Sequence, residues 1–226
     1  MSTEIYNHIE GCSHHVLTKE EQLRRELSMS YMIAVKQKNS ITISINSREN
    51  FNNYYKDNYK KIFHNKNVIW ASTGLIKYDN IDYVAKIKET MNQESIPIED
   101  RIKQLISMIK DITSPVKANS IFNIFIGYLR NDNQLVLRVI DIVRGELAGD
   151  QYVYDNSIYD AGALSFIGSS NFTTYNYQDS NPVFFSSSLV YIAKCLNNTV
   201  GGNIRTININ IFGNITTYIN GKETDF

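Results

Sequence analysis

From residue 30 onward, apolar residues recur in short runs that alternate with polar or less apolar neighbours, the period of half-buried strands. In Ser30-Tyr31-Met32-Ile33-Ala34-Val35 and in Ser40 to Ser47, the residues Ile33, Val35, Ile41, Ile43 and Ile45 mark the buried positions. Lys36-Gln37-Lys38-Asn39 between them reads as a turn, so residues 30–47 predict an antiparallel hairpin in a sheet core. Phe51 to Lys60, rich in Asn, Tyr and Lys, reads as a loop, and Val68-Ile69-Trp70-Ala71 as a buried strand stopped at Gly74.

The middle of the chain changes period. Leu75, Ile76, Tyr83, Val84, Ile87 and Met91 fall mostly at helical spacing. Ile98, Ile102, Leu105, Ile106, Ile109 and Ile112 form one face of a second helix that ends at Ser114-Pro115. Strands then return: Ile121 to Leu129, a turn at Asn131-Asp132-Asn133, Leu135 to Ile142, and Ala163 to Ile167 before Gly168-Ser169-Ser170. Leu189 to Leu196 reads as a helix after an Asn181-Pro182 break. Ile204–Phe212 and Ile215–Ile219 read as a final pair joined through Gly213-Asn214. Ahead of the first strand, Thr18 with Glu21 three residues on has the form of a capping box and predicts a short helix to about Leu27. The organisation predicted is an N-terminal extension over 1–29, one domain over 30–220 and a tail over 221–226.

Composition narrows the classes. With 42% hydrophobic residues in 226, a single packed core is expected rather than disorder. A formal net charge of zero gives no nucleic-acid footprint, and no apolar run approaches the roughly 20 residues that span a bilayer. The polar first fifteen residues do not read as a secretory signal. Cys12 and Cys195 lack metal or redox spacing and read as reduced thiols of a cytoplasmic protein. Cys12, His14 and His15 with Glu10 read as an unstructured terminus rather than a metal clip. No cofactor is expected.

The candidate chemistry lies in residues far apart in sequence: Ser30 leading a strand, Asn46-Ser47-Arg48 closing its hairpin, Lys60-Lys61 before a strand, Gly74 at a turn, and Ser169 after Gly168. This order resembles the proteasome-type N-terminal-nucleophile hydrolases, and Met29-Ser30-Tyr31 is similar to the beginning of the bacterial proteasome-like ancestral β-subunits. The resemblance implies an α+β fold, a four-layer α-β-β-α sandwich of antiparallel sheets. It also implies roles: Ser30 as nucleophile with its own α-amine as base once residues 1–29 are lost, Lys61 as the electrostatic tuner beside it, Gly74 N–H as oxyanion donor and Ser169 as support. Asn46 stands where the family has the aspartate that partners the lysine, and Asn197 stands at a second acidic position.

Two functions follow. One is a peptidase or amidohydrolase acting on peptide or protein substrates. The other is a non-catalytic, ring-forming subunit like the proteasome α subunits, which carry a helix before the first strand and a segment similar to Thr73-Gly74-Leu75-Ile76. Both imply assembly with itself or related subunits into a closed oligomer.

Overall fold

The first hairpin forms with the register that its alternation requires. In the computed structural model, which describes residues 30–50, 55–74, 77–78, 81–113, 121–162 and 181–226, β1 (Tyr31–Lys36) pairs antiparallel with β2 (Ser40–Asn46). Met32 lies opposite Ile45, and Lys36 opposite Ile41. Because successive side chains point to opposite faces, Met32, Ala34, Ile41, Ile43 and Ile45 share one apolar layer. Tyr31, Ile33 and Val35 enter another. β1 is therefore buried on both faces, as a central strand must be.

After the hairpin come β3 (Glu49–Asn50), β4 (Tyr55–Lys56), β5 (Ile62–Asn65), β6 (Val68–Gly74), β7 (Lys77–Tyr78) and β8 (Ile81–Asp82). Helices α1 (Tyr83–Met91) and α2 (Ile98–Thr113) follow, then β9 (Ile121–Leu129), β10 (Leu135–Val143), β11 (Glu146–Val153) and β12 (Ser157–Gly162). The chain closes with α3 (Pro182–Leu196), β13 (Ile204–Asn210), β14 (Ile215–Ile219) and β15 (Lys222–Glu223). The two main sheets run β12-β1-β2-β13-β14-β15 and β11-β10-β9-β6-β5, and every strand pairing in them is antiparallel. Their facing surfaces meet through Ile41, Ile43, Ile69, Phe125, Leu137, Val139 and Ile207. Val190 and Ala193 of α3 pack on the outer face of β1, while Ile87 of α1 and Leu105 of α2 join the cluster around Trp70 and Phe122.

The expected α+β, four-layer α-β-β-α sandwich is corrected by this count. Strands hold 47% of the described residues and three helices 24%, which is a β-rich fold built on two antiparallel sheets. The strands that shift the balance lack clean alternation. β11 is exposed or half-exposed at every position, so it carries no apolar signature, and β12 reads Ser-Ile-Tyr-Asp-Ala-Gly. The stretch from Leu75 was expected to be helical. Instead Lys77–Tyr78 pairs with Ile81–Asp82, and the helix starts at Tyr83 because the Asp82 side chain accepts from Ala85 N–H and caps it. α3 begins seven residues before the expected start. Asn181-Pro182 is not a break but a cap: the Asn181 side chain accepts from Val183 N–H, and proline suits the first turn. Two residues of the expected C-terminal tail pair with β14. The expected helix at 18–27, the strand at 163–167 and the His14-His15 segment lie outside the described residues.

Gly162 shows how tightly the sheet closes on the start of β1. It lies opposite Tyr31 with φ +117°, and a Cβ there would stand 1.9 Å from the Ser30 carbonyl oxygen. Gly162→Ala is expected to lower the free energy of unfolding by roughly 2–4 kcal/mol, from backbone strain and forced separation of β1 from β12. Denaturant titration checks it: a midpoint within error of the parent chain would mean that the strands separate without penalty.

Candidate active site

Ser30 precedes β1, and Lys61 precedes β5 at the edge of the other sheet, with its carbonyl accepting from Ser72 N–H of β6. The two residues reach each other across the gap between the sheets. Lys61 Nζ donates to Ser30 Oγ at 2.5 Å and to the Arg48 carbonyl oxygen. Serine and lysine are 2% and 1% exposed, so the pair sits in a region that water barely enters. Burial pushes the Lys61 ammonium down to about 7 from 10.5, and the charges of Glu49 and then Asp57 pull it part of the way back. A lysine in that range is divided between amine and ammonium near neutral pH, which suits proton transfer.

Arg48 shapes the wall beside Lys61. Its guanidinium holds Asp57 in a two-pronged pair, at 2.8 Å and 3.2 Å, and donates to the Asn198 carbonyl oxygen at 2.6 Å. It also stacks over the Tyr55 ring at 3.8 Å. The hydrogen bond from Arg48 holds the Asp57 carboxyl below the usual carboxylate range. Ser47 is buried, and its hydroxyl oxygen accepts from Asn58 N–H and Asn203 N–H. These contacts tie the end of β2 to the segment before β13, and they aim the Arg48 carbonyl at Lys61.

Asn46 does not take the place of the lysine's partner. It is the last residue of β2, in step with Thr42 and Ser44, and Ser44 Oγ meets Ser186 Oγ of α3 at 2.7 Å. Parity therefore sets Asn46 toward the outer face, whereas Lys61 enters between the sheets. Its Oδ1 accepts from Tyr31 N–H at 2.8 Å and its Nδ2 donates to the Gly201 carbonyl oxygen at 3.2 Å. Asn46 thus fixes the backbone that carries Ser30. The position to which the resemblance assigns the lysine's partner thus holds the backbone of β1 and makes no hydrogen bond to Lys61.

Gly74 ends β6 with φ +108°, and a Cβ there would lie 1.7 Å from the Ile121 carbonyl oxygen, so close approach of β9 alone demands glycine. Among the described residues, no hydrogen bond joins Gly74 to Ser30 or Lys61. Ser169 and Asn197 separate in the same way: Ser169 lies outside the described residues, while Asn197 follows α3 and caps a turn by accepting from Thr199 N–H.

Glu49 is the residue that the sequence pattern did not single out. It is 2% exposed and its Oε1 has no hydrogen-bond partner. Its only signal in sequence is an acid directly after Arg48. Among the described residues, no group of three or more His, Cys, Asp or Glu side chains could hold a metal ion. No helix of the described residues is long and apolar enough to cross a membrane. Compared with known proteins, the chain matches no family model, and a search of curated proteins gives no match.

Substituting Asn46→Asp would set a carboxylate oxygen against the Gly201 carbonyl where an N–H now donates. The expected outcome is a loss of about 1–3 kcal/mol in unfolding free energy rather than a gain in reactivity. Thermal and denaturant unfolding of the variant check it. An Asn46→Asp chain that is equally stable and more reactive would show that this side chain turns toward Lys61 after all.

Proposed function

We propose that the protein is an amide-bond hydrolase with Ser30 as nucleophile, similar to the proteasome-like hydrolases in its serine and lysine. The observation that carries this reading is the 2.5 Å contact between Ser30 Oγ and Lys61 Nζ in a buried setting. When Lys61 is neutral, the Ser30 hydroxyl donates to its lone pair. Attack of Oγ on a substrate carbonyl then moves the hydroxyl proton to Nζ, and a tetrahedral oxyanion forms. Collapse expels the amine, which takes that proton from the Lys61 ammonium. A water then releases the acyl group with Lys61 again as base. Gly74 N–H is the candidate donor to the oxyanion, at the end of β6.

Lys61 as base makes this chemistry possible with residues 1–29 attached. A Ser30 α-amine as base would require their removal. Comparing the full chain with a chain that starts at Ser30 separates the two: equal reactivity supports Lys61, and reactivity only in the shorter chain supports the amine. A small fluorophosphonate suits a buried serine. Its rate of attachment is expected to rise about tenfold between about pH 6 and about pH 8, because the reactive form is neutral Lys61, with half-maximum near 7. Ser30→Ala is expected to remove labelling. Labelling that survives in Ser30→Ala, or that is flat across this range, would sink the Ser30–Lys61 reading.

The second reading, a non-catalytic assembly subunit of a closed cytoplasmic oligomer, draws support from α3. Its outward residues Phe184, Tyr191, Ile192 and Leu196 are all exposed. An apolar helix face of this kind suits a subunit contact. Light scattering at micromolar concentration is expected to give a multiple of the 26.0 kDa chain, and Tyr191→Lys is expected to reduce it. A clean monomer would remove the assembly reading.

A further inference from the structure

The Lys61 ammonium needs a negative charge, and the neutral oxygens that touch it supply none. Its two hydrogen bonds go to the Ser30 hydroxyl and to the Arg48 carbonyl. Asn46, which stands where the resemblance implies an aspartate, is neutral and is occupied with Tyr31 and Gly201. Two carboxylates stand within electrostatic reach, Asp57 and Glu49. Asp57 is already neutralised by Arg48, in a pair that is partly open to water. Glu49 differs on both counts: it is buried, and its Oε1 has no partner.

An ionised carboxylate with a bare buried oxygen is costly unless an opposite charge lies near. The backbone makes Lys61 that charge, because the carbonyl that accepts from Nζ belongs to Arg48 and the next residue is Glu49. Among the described residues, the other ionisable groups around this point have partners or face solvent. Tyr59 donates its hydroxyl to Asp82, Arg48 is bound to Asp57, and Lys56, opposite Glu49 in the β3–β4 pair, is exposed.

We propose that Glu49 is the positioning carboxylate of the Ser30–Lys61 pair, supplying from the segment after β2 the negative charge that Asn46 lacks. Its catalytic meaning rests on the hydrolase reading above. When Ser30 gives its proton to Lys61, an amine becomes an ammonium beside a carboxylate that was waiting unpaired. The charge pair forms during the step itself, so Glu49 favours the transition state over the neutral ground state. Because Glu49 makes no hydrogen bond to Nζ, it does not lock Lys61 as an ammonium beforehand.

The test uses the full chain with lysines carrying 13C at the ε position, and Lys61→Met assigns the Lys61 signal. In the parent chain the signal is expected to titrate near 7. In Glu49→Gln, which keeps the shape and removes the charge, the midpoint is expected to fall by about one pH unit or more. Fluorophosphonate labelling should follow with a distinctive crossing. The acid limb moves down by the same amount, while the plateau above about pH 8 drops several-fold, because a weaker base accepts the proton. Glu49→Asp retains the charge and is expected to recover most of both properties, and it serves as the second probe if Glu49→Gln does not fold. An unchanged Lys61 midpoint in a folded Glu49→Gln chain overturns the pairing, whether or not the chain labels. A chain that never labels, but whose Lys61 midpoint falls in Glu49→Gln, overturns the hydrolase reading and leaves the pairing standing.

Discussion

A lysine lies buried where two apolar sheets close on one another, and much of the surrounding structure is arranged to tolerate it. The facing layers of isoleucine, valine and phenylalanine exclude water from the gap. Exclusion of water is what drives Lys61 toward its neutral form. The same exclusion makes its few contacts strong, since a hydrogen bond or a charge in a dry region is less screened than one at the surface. The Ser30 hydroxyl, the Arg48 carbonyl and the nearby acids therefore act on Lys61 with little competition. The arrangement also has a cost. Lys61 binds its proton more weakly in the folded chain than in the unfolded one. Its contribution therefore opposes folding as pH falls below about 10.5, and does so in full below about 7. A structural role alone would be met better by an apolar side chain of similar volume.

The hairpin around Ser30, the long apolar strands at 121–129 and 135–143, and the helix at 98–113 were legible in sequence, because burial on one face or both leaves a period that can be counted. The pairing of Ser30 with Lys61 was legible only through a resemblance, since 31 positions separate them and no local pattern joins them. β11 was not legible. Its residues meet solvent on both faces, and its position comes from ladder bonds to β10 and from the Asp150 pair with Arg138 rather than from an apolar period. α3 was cut short because Asn181-Pro182 serves equally well as a stop signal and as a helix start, and only the bond from Val183 N–H to the Asn181 side chain decides which.

Asn46 illustrates a different limit. Its place in the motif suggested a role toward Lys61, but strand parity sets its side chain with Ser44, whose hydroxyl meets Ser186 and Thr206 under α3. A one-residue change of register would move every side chain of β2 to the other face. The register is fixed by Ile41, Ile43 and Ile45, which all must enter the apolar layer. The hydrophobic pattern thus decides which polar residue can reach the site, and it selects against Asn46. The two carboxylates whose charge acts on Lys61, Glu49 and Asp57, both lie beyond the end of the strand, where the parity of β2 no longer applies.

Gly74 and Gly162 complete this picture from the backbone side. Each ends its strand in a left-handed conformation, and each is pressed against a carbonyl at the start of the neighbouring strand, Ile121 for one and Ser30 for the other. One glycine belongs to each main sheet. Both lie where a strand ends and its partner begins, so the sheets are drawn tight at the positions that lead into β1 and β9. At Gly162 this closeness fixes the Ser30 carbonyl directly. At Gly74 it fixes the end of β6, the strand whose Ser72 N–H holds the Lys61 carbonyl. Ser30 and Lys61 are thus each anchored through their own backbone, beside different sheets. Packing of the apolar layer between those sheets sets the separation that their side chains bridge.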